Sequence, residues 1–475
     1  MQSPKTPGVY IQEIPSFPPS VAAVETAIPV FIGYTERAED ANGDSLIMKP
    51  RKISSLLNYE NIFGRGQDET GITVEVRENG DGTDLDLIKV GIANRQPFRM
   101  HYAMQMFFAN GGADCFVVST GLQVDTPLLQ RGDLAAGLAA SNKVDEVTLI
   151  LFPDAPGLGD GDFYGLYTDA LIACEDLQDR FTIIDVWIDE ANTNPEADAG
   201  AFIDTNIEIL RNGISGTTDQ LKYGAVYFPN LRTTLDYQFA DAGVTITQVG
   251  GDGSLNGSFA ELKDKRNDYY FKVLSKLQEY PVEMTPSAAM AGLYAETDQS
   301  RGVWKAPANI NVRTAVETVV RVDDRQQSSL NVDVTAGKSV NVIRPFTGRG
   351  PAMVWGARTL AGNDNEWRYV SVRRFFNMVE ESVKKATTQF VFEPNDANTW
   401  TRVKSMISNF LTLQWRAGAL MGSTPEQAYF VNVGLNDTMS ATDILEGRMI
   451  IEIGMAVVRP AEFIILKFSH KMLEA

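Results

Sequence analysis

Apolar residues arrive along this chain in two rhythms, and the change between them divides it. Short, nearly unbroken apolar runs read as buried strands: PVFIG at 29–33, CFVVST at 115–120, VTLILFP at 147–153, FTIIDVWI at 181–188 and YGAVYFP at 223–229. Other stretches keep a helical spacing. Phe98, Met100, Met104, Phe107 and Phe108 predict a buried helix over 97–110 that Gly111-Gly112 stops. Leu166, Ala170, Leu171, Cys174 and Leu177 predict a second, and AFIDTNIEILRN after residue 200 a third. From Gly121 onward strand and helix alternate. Strands without polar interruptions, set between amphipathic helices, predict a parallel sheet covered on both faces, so residues 121–362 read as an α/β region.

The C-terminal part is written differently. Val372, Phe375, Phe376, Val379, Val383 and Ala386 share one face of a predicted helix, leaving Arg373, Arg374, Asn377, Glu380, Glu381, Lys384 and Lys385 on a polar face. Glu380–Lys384 and Glu381–Lys385 are i,i+4 pairs in the favourable order. A further helix is expected from about Trp400 to Gly418, through Val403, Met406, Ile407, Phe410 and Leu411. Thr424-Pro425-Glu426-Gln427 predicts an N-cap, a proline in the first turn and a capping-box glutamine. Two strands are expected to close the chain, at 449–458 and 462–469, separated by Arg459-Pro460. At the other end, GVYIQEI (8–14) is strand-like material among five prolines in the first 20 residues. Short alternating strands at both ends carry backbone donors and acceptors that must find a sheet to join.

Composition narrows the classes. The 475 residues, 44% of them hydrophobic, suffice for two to four domains with substantial cores. A net charge of −19 argues against nucleic acid, whose binding needs a concentrated basic surface. The charge is uneven: residues 121–280 hold 26 acidic against 11 basic residues, whereas 363–475 hold 13 against 12. An acidic middle suits exposure to water, and a near-neutral C-terminal part suits packing against something else. MQSPKTPGVY has no apolar stretch behind it, and no run of about 18 apolar residues occurs, so neither secretion nor membrane insertion is expected. Cys115 and Cys174 read as buried thiols of a reducing compartment, and with only two histidines a Cys/His zinc site is not expected.

Signals for chemistry are weak. A Ser/His/Asp triad would need His101, inside the predicted Phe/Met-rich helix, or His470, near the end, and no Gly-x-Ser-x-Gly turn accompanies either. GRGQDETG (64–71) and GGDGSLNG (250–257) lack the Gly-Lys-Ser/Thr of a phosphate loop and read as turns, as does ENGDGTD (78–84), which lacks the glycine and terminal glutamate of a calcium loop. Arg301, Arg344, Arg349 and Arg358, near Gly and Asp positions, are candidates for structural bonds to carboxylates or carbonyls. No catalytic, cofactor-binding or metal residue is assigned.

Residues 289–310 (AMAGLYAETDQSRGVWKAPANI) and 339–360 (SVNVIRPFTGRGPAMVWGARTL), with WRYVSVRRFFNMVEESV at 367–383, FEPN at 392–395 and PAEFIILKFS at 460–469, resemble the contractile tail sheath proteins of phages and of phage-derived injection particles. The resemblance implies α/β plus α+β architecture. It comprises a linker arm at 1–20, an N-terminal sheath region at 21–120, a subtilisin-like but non-catalytic α/β region at 121–362, outer and acidic, and an inner sheath domain at 363–475. That inner domain would be completed from both chain ends and close on a linker strand. It further implies stacked hexameric rings in a helical lattice around an inner tube, contraction that drives the tube through a cell envelope, and no cofactor. Implied partners are other copies, the tube protein, baseplate and tail terminator or cap proteins and a second sheath paralogue, with no nucleic acid and no membrane contact. The implied location is synthesis in a bacterial cytoplasm, then a phage tail or released particle. Val9, Tyr10, Ile11, Phe463, Ile465, Leu466 and Phe468 would be linker-arm residues, and Arg373, Lys384 and Lys385 candidates to face the tube. An α/β hydrolase and a non-contractile shell protein are the alternative readings.

Overall fold

The computed structural model describes residues 20–466 apart from Asn94 and residues 126–127. The chain forms two compact units. The larger is Glu25–Asn377 with the described residues 459–466; the smaller is Met378–Val458 with residues 20–24.

A nine-stranded sheet organises the larger unit. Six strands run parallel in the spatial order Val340–Phe346, Gly224–Phe228, Phe181–Ile184, Leu149–Leu151, Pro29–Thr35, Cys115–Leu122. Antiparallel strands finish both edges: Arg51–Ile53 beside Cys115–Leu122, and Gly350–Val354 then Ile310–Asn311 beside Val340–Phe346. The expected doubly covered parallel sheet is present, but it reaches outside 121–362. Pro29–Thr35, buried along its whole length, is one of its inner strands.

Coverage of both faces follows from the period of two along a strand. Val30, Ile32 and Tyr34 point into one apolar core, shared with helices Arg131–Ser141, Asp160–Leu177 and Ala199–Gly213. Phe31 points into the other, under helices Met100–Ala109 and Ser287–Arg301. Burying each such side chain contributes about 1.5–3 kcal/mol. Cys115 and Cys174 are buried, with thiol pKa values pushed up by burial.

The end of the Pro29–Thr35 strand is stitched by a buried carboxylate. Asp154 accepts from the backbone N–H groups of Tyr34 (2.7 Å), Arg99 (2.5 Å) and Met100 (3.1 Å), tying the strand to the start of a helix. Gly33 is required there, because a Cβ would lie 2.4 Å from Asp154 Oδ2.

A four-stranded sheet, in the order Gly257–Ser258, Val244–Gln248, Ile72–Glu78, Leu85–Ile92, packs with helices Phe259–Lys265 and Asn267–Glu279 around a separate apolar cluster. ENGDGTD is the turn between two of its strands, with Asn79 Oδ1 accepting from the amides of Thr83 and Asp84.

The polar face of helix Val370–Thr387 is divided: Glu380, Lys384 and Lys385 are exposed, but the rest of it is buried. Arg373, Arg374, Asn377 and Glu381 are all at most 6% exposed. The arginines are met internally: Arg374 bonds Asp298 (2.5 Å) and the carbonyl of Thr26 (2.8 Å) over the ring of Tyr294. Periodicity locates the apolar stripe, but it is blind to distant partners that also cover the opposite face. Around Thr424 the capping box is not formed. Gln427 Oε1 accepts from the amide and hydroxyl of Ser423, and the Thr424 side chain makes no cap bond.

In the smaller unit, helix Ala397–Arg416 packs by Val403, Met406, Ile407, Phe410 and Leu411, as the spacing predicts. Its N-cap is Asp396, which accepts from Thr399 N–H at 2.9 Å. Strands Tyr429–Asn432 and Glu452–Met455 form an antiparallel pair. The ring of Phe430 lies across Gly454, where a Cβ would come within 2.2 Å of it.

Two predictions follow from the buried charges. Arg374→Ala leaves the buried Asp298 without its counter-charge, so stability should fall by about 3–5 kcal/mol in urea unfolding, while Arg374→Met together with Asp298→Leu should recover much of that loss. Asp185, bonded to the amide and hydroxyl of Ser287, has its carboxyl raised by burial from 3.8 to about 6. Above that pH the folded state bears the full cost of the buried charge. As pH falls through 6 it takes up a proton before the unfolded chain does, and the cost is fully relieved below 3.8. Between pH 7 and 5 the wild type should therefore gain stability relative to Asp185→Asn, read from unfolding midpoints at each pH.

Candidate assembly interface at the chain end

Arg358 builds the site from the parallel sheet outward. Asn341, fully buried on the Val340–Phe346 strand, accepts the amide of Arg358 (2.7 Å) and donates to the carbonyls of Arg358 (2.8 Å) and of Val226 on the next strand (3.0 Å). The backbone of Arg358 is thus stitched to two neighbouring sheet strands. Its guanidinium, 4% exposed with the rest of the residue, bonds the carbonyls of Gly362 (3.2 Å) and Asn331 (3.4 Å) and grips Glu462, Nε at 3.0 Å from Oε1 and Nη2 at 2.6 Å from Oε2. This is the two-pronged geometry that makes Arg–carboxylate pairs strong.

Glu462 is held by more than the arginine. Asn331 Nδ2 donates to it at 2.7 Å and the Tyr369 hydroxyl at 3.1 Å. Burial opposes its ionisation, but the bonds from Arg358, Asn331 and Tyr369 outweigh that and hold the carboxyl below the usual range.

Directly after this clamped residue, Phe463, Ile464, Ile465 and Leu466 are 70–80% exposed and lie in no strand. Four consecutive apolar side chains in water are a liability in a protein that acts alone. The strand expected over 462–469 is therefore not formed within this chain across its described residues. Phe468 lies outside the described residues, as do Val9, Tyr10, Ile11 and His470.

The smaller unit has its own unsatisfied features. Among the described residues, the pair Tyr429–Asn432 and Glu452–Met455 carries no third strand on either edge. A two-stranded ladder of this length is marginal in water. Phe392, Leu445, Leu413 and Met421 are exposed in the same unit.

Of the basic residues singled out, Arg373 is buried in the larger unit. Its guanidinium lies 4.4 Å from the Trp367 ring centre and 5.0 Å from that of Tyr223, with Nε donating to Asn377. In this chain its charge is turned inward. Lys384 and Lys385 do reach solvent, with side chains 67% and 40% exposed, and both pair with Glu381, at 3.0 and 3.5 Å. Of the remaining arginines, Arg344 bonds Asp324 (2.6 Å) and Gln327 (2.8 Å), Arg349 bonds Asn309 and lies 5.3 Å from the Trp355 ring centre, and Arg301 ends its helix exposed. His101, the described histidine of the triad reading, has its ring nitrogens engaged by Glu60 and Gln105. The Glu462 clamp was not apparent in the sequence, because a lone glutamate before an apolar run is an ordinary gatekeeper.

No helix among the described residues is long and apolar enough to cross a membrane. The phage tail sheath C-terminal domain family matches residues 362–471. The tail sheath protein of Vibrio phage KVP40 is 26% identical over 254 residues, 52% of this chain and 34% of the relative, so the match spans only about a third of that protein. Full-length likeness comes from solved structures. The helical sheath of the anti-feeding prophage in its contracted state is 31% identical, covering 99% of this chain and 100% of that one, with a TM-score of 0.63. The PVC sheath complex of an extracellular contractile injection system, also contracted, is 29% identical over 99% of both chains, with a TM-score of 0.64. A likeness of that level along the whole of both chains, with a fold of the same mixed α/β class, places this chain in the contractile tail sheath family.

Proposed function

We propose that this chain is the repeating subunit of a contractile sheath, polymerising as stacked hexameric rings in a helical lattice around an inner tube and driving that tube through a target envelope on contraction. It works without cofactor or nucleotide: free energy is stored as the difference between two packings of the same subunits. The observation that carries this reading is the apolar tail Phe463–Leu466, rooted by Glu462 and without a strand partner among the described residues. An extended segment of this kind is completed by strand addition to an exposed sheet edge, and the Tyr429–Asn432/Glu452–Met455 pair of a second copy offers such an edge. Residues 9–11 would form the matching arm at the other end.

Within this reading the inner sheath domain draws on both chain ends. The subtilisin-like α/β region lies outward, where the acidic surplus of residues 121–280 faces water. Backbone ladders tolerate modest rotation of the bodies they join, which suits a lattice whose subunits stay linked as they slide. Baseplate and terminator proteins bound the polymer, which is made in a bacterial cytoplasm and works as part of a phage tail or released particle. Lys384 and Lys385 remain candidates to face the tube, since both project their charge; Arg373 does not.

Removing residues 463–475 should leave a folded monomer that no longer forms striated tubes in negative stain, and tubes of normal length would overturn the arm assignment. Lys384→Glu with Lys385→Glu should abolish assembly on inner tubes while preserving the monomer's fold. Lys384→Gln with Lys385→Gln controls for loss of the Glu381 pairs, and unimpaired assembly of the charge-reversed protein on tubes would reject the tube-facing role.

A further inference from the structure

A strand donated to a neighbouring subunit is useful only if its root holds when the neighbour moves. The chain reaches that root by an unusual route. It leaves the larger unit within the helix Val370–Thr387, builds the smaller unit through Val458, and returns to the larger unit for residues 459–466. Before the tail, the last segment of the smaller unit is the Glu452–Met455 strand and its continuation. The strand is held by its four-residue ladder with Tyr429–Asn432, and the continuation by a few backbone bonds: Met421 N–H to the Ala456 carbonyl (2.7 Å), Ala456 N–H to the Ala428 carbonyl (2.8 Å) and Val458 N–H to the Ala419 carbonyl (3.1 Å). A pull on residues 463–466 with nothing to stop it would reach this short ladder within a few residues and peel it bond by bond.

The Glu462 clamp stands between the two. Its carboxylate is fixed by Arg358, Asn331 and Tyr369, and the Arg358 backbone is fixed through Asn341 to the Val340–Phe346 and Gly224–Phe228 strands of the parallel sheet. Both Arg358 and Asn341 are buried, so water does not compete for these bonds. Resting on the arm reading above, we propose that Glu462 and Arg358 are a mechanical anchor. They fix where the C-terminal arm leaves the subunit and direct tension from a neighbouring copy into the parallel sheet, sparing the two-stranded ladder that must itself accept a strand.

The role assigned to Glu462 is one of positioning, and its signature is a defect that appears only under the load of the polymer. Glu462→Ala and the isosteric Glu462→Gln would be compared with wild type as full-length monomers and as assembled sheaths. In monomers, amide hydrogen exchange over residues 452–458 should match wild type. In Glu462→Ala sheaths the same amides should exchange at least about tenfold faster, a change of the size that local opening of a short ladder produces. The guanidinium midpoint for sheath disassembly should also fall, with Glu462→Gln intermediate because it keeps an acceptor but loses the charge. Folded Glu462→Ala monomers that fail to polymerise would also support the anchor, and if that variant does not fold, Glu462→Gln carries the comparison. Sheaths of the variants with wild-type exchange and midpoint would overturn the anchor, as would equal acceleration in the monomer, which marks ordinary structural loss. Truncation at 463 separates the two ideas: a truncated chain that polymerises normally sinks the arm reading, whereas a truncated chain that fails beside a normal Glu462→Ala sheath sinks only the anchor.

Discussion

Two dry faces on one parallel sheet are the constraint from which the rest of the larger unit follows. Once Val30 and Ile32 face one core and Phe31 the other, neither side of the Pro29–Thr35 strand has water to satisfy a polar group. A polar residue near the sheet is then costly unless it is bonded. Asp154 at the end of that strand and Asn341 on Val340–Phe346 meet the demand by accepting from, or bridging, backbone groups of elements far away in the chain. Each is also a suture, because the bonds it makes are between segments that the apolar cores alone would leave free to slide.

The same demand explains the buried ion pairs. Arg374 with Asp298 and Arg358 with Glu462 lie where a charge without its partner would be costly, and each arginine adds bonds to backbone carbonyls. Such pairs contribute little net stability compared with apolar residues of the same shape, but they specify which segments meet. Arg374 defines where residue 26 and the helix Ser287–Arg301 lie against Val370–Thr387. Arg358 defines where the returning chain is tied down after it has built a second unit.

Among the described residues, the apolar tail and the open two-stranded ladder stand out as places where backbone pairing stops. A monomer that left them so would be prone to aggregate. On the arm reading proposed above, identical edges and identical tails, one set per copy, would let a lattice close its backbone pairing between molecules. The family's full-length relatives are the contracted helical sheath of a prophage and the contracted sheath complex of an injection system.

The two rhythms of apolar residues were legible in the chain itself. Near-continuous runs marked the strands at 29–33, 115–120, 147–153, 181–188 and 223–229, and helical spacing marked Asp160–Leu177 and Ala397–Arg416, because period and burial are local properties that each segment carries. The strand expected over 462–469, by contrast, is not formed across the described residues. What the sequence could not display was anything settled by partners distant along the chain. The helix Val370–Thr387 showed a polar face whose Arg373 and Arg374 are in fact covered by Trp367, Asp298 and Thr26, and Glu462 gave no sign of the arginine 104 residues before it. Tertiary structure alone decided these, since a charged side chain is compatible with water or with a buried counter-charge, and only the folded chain brings the counter-charge within reach.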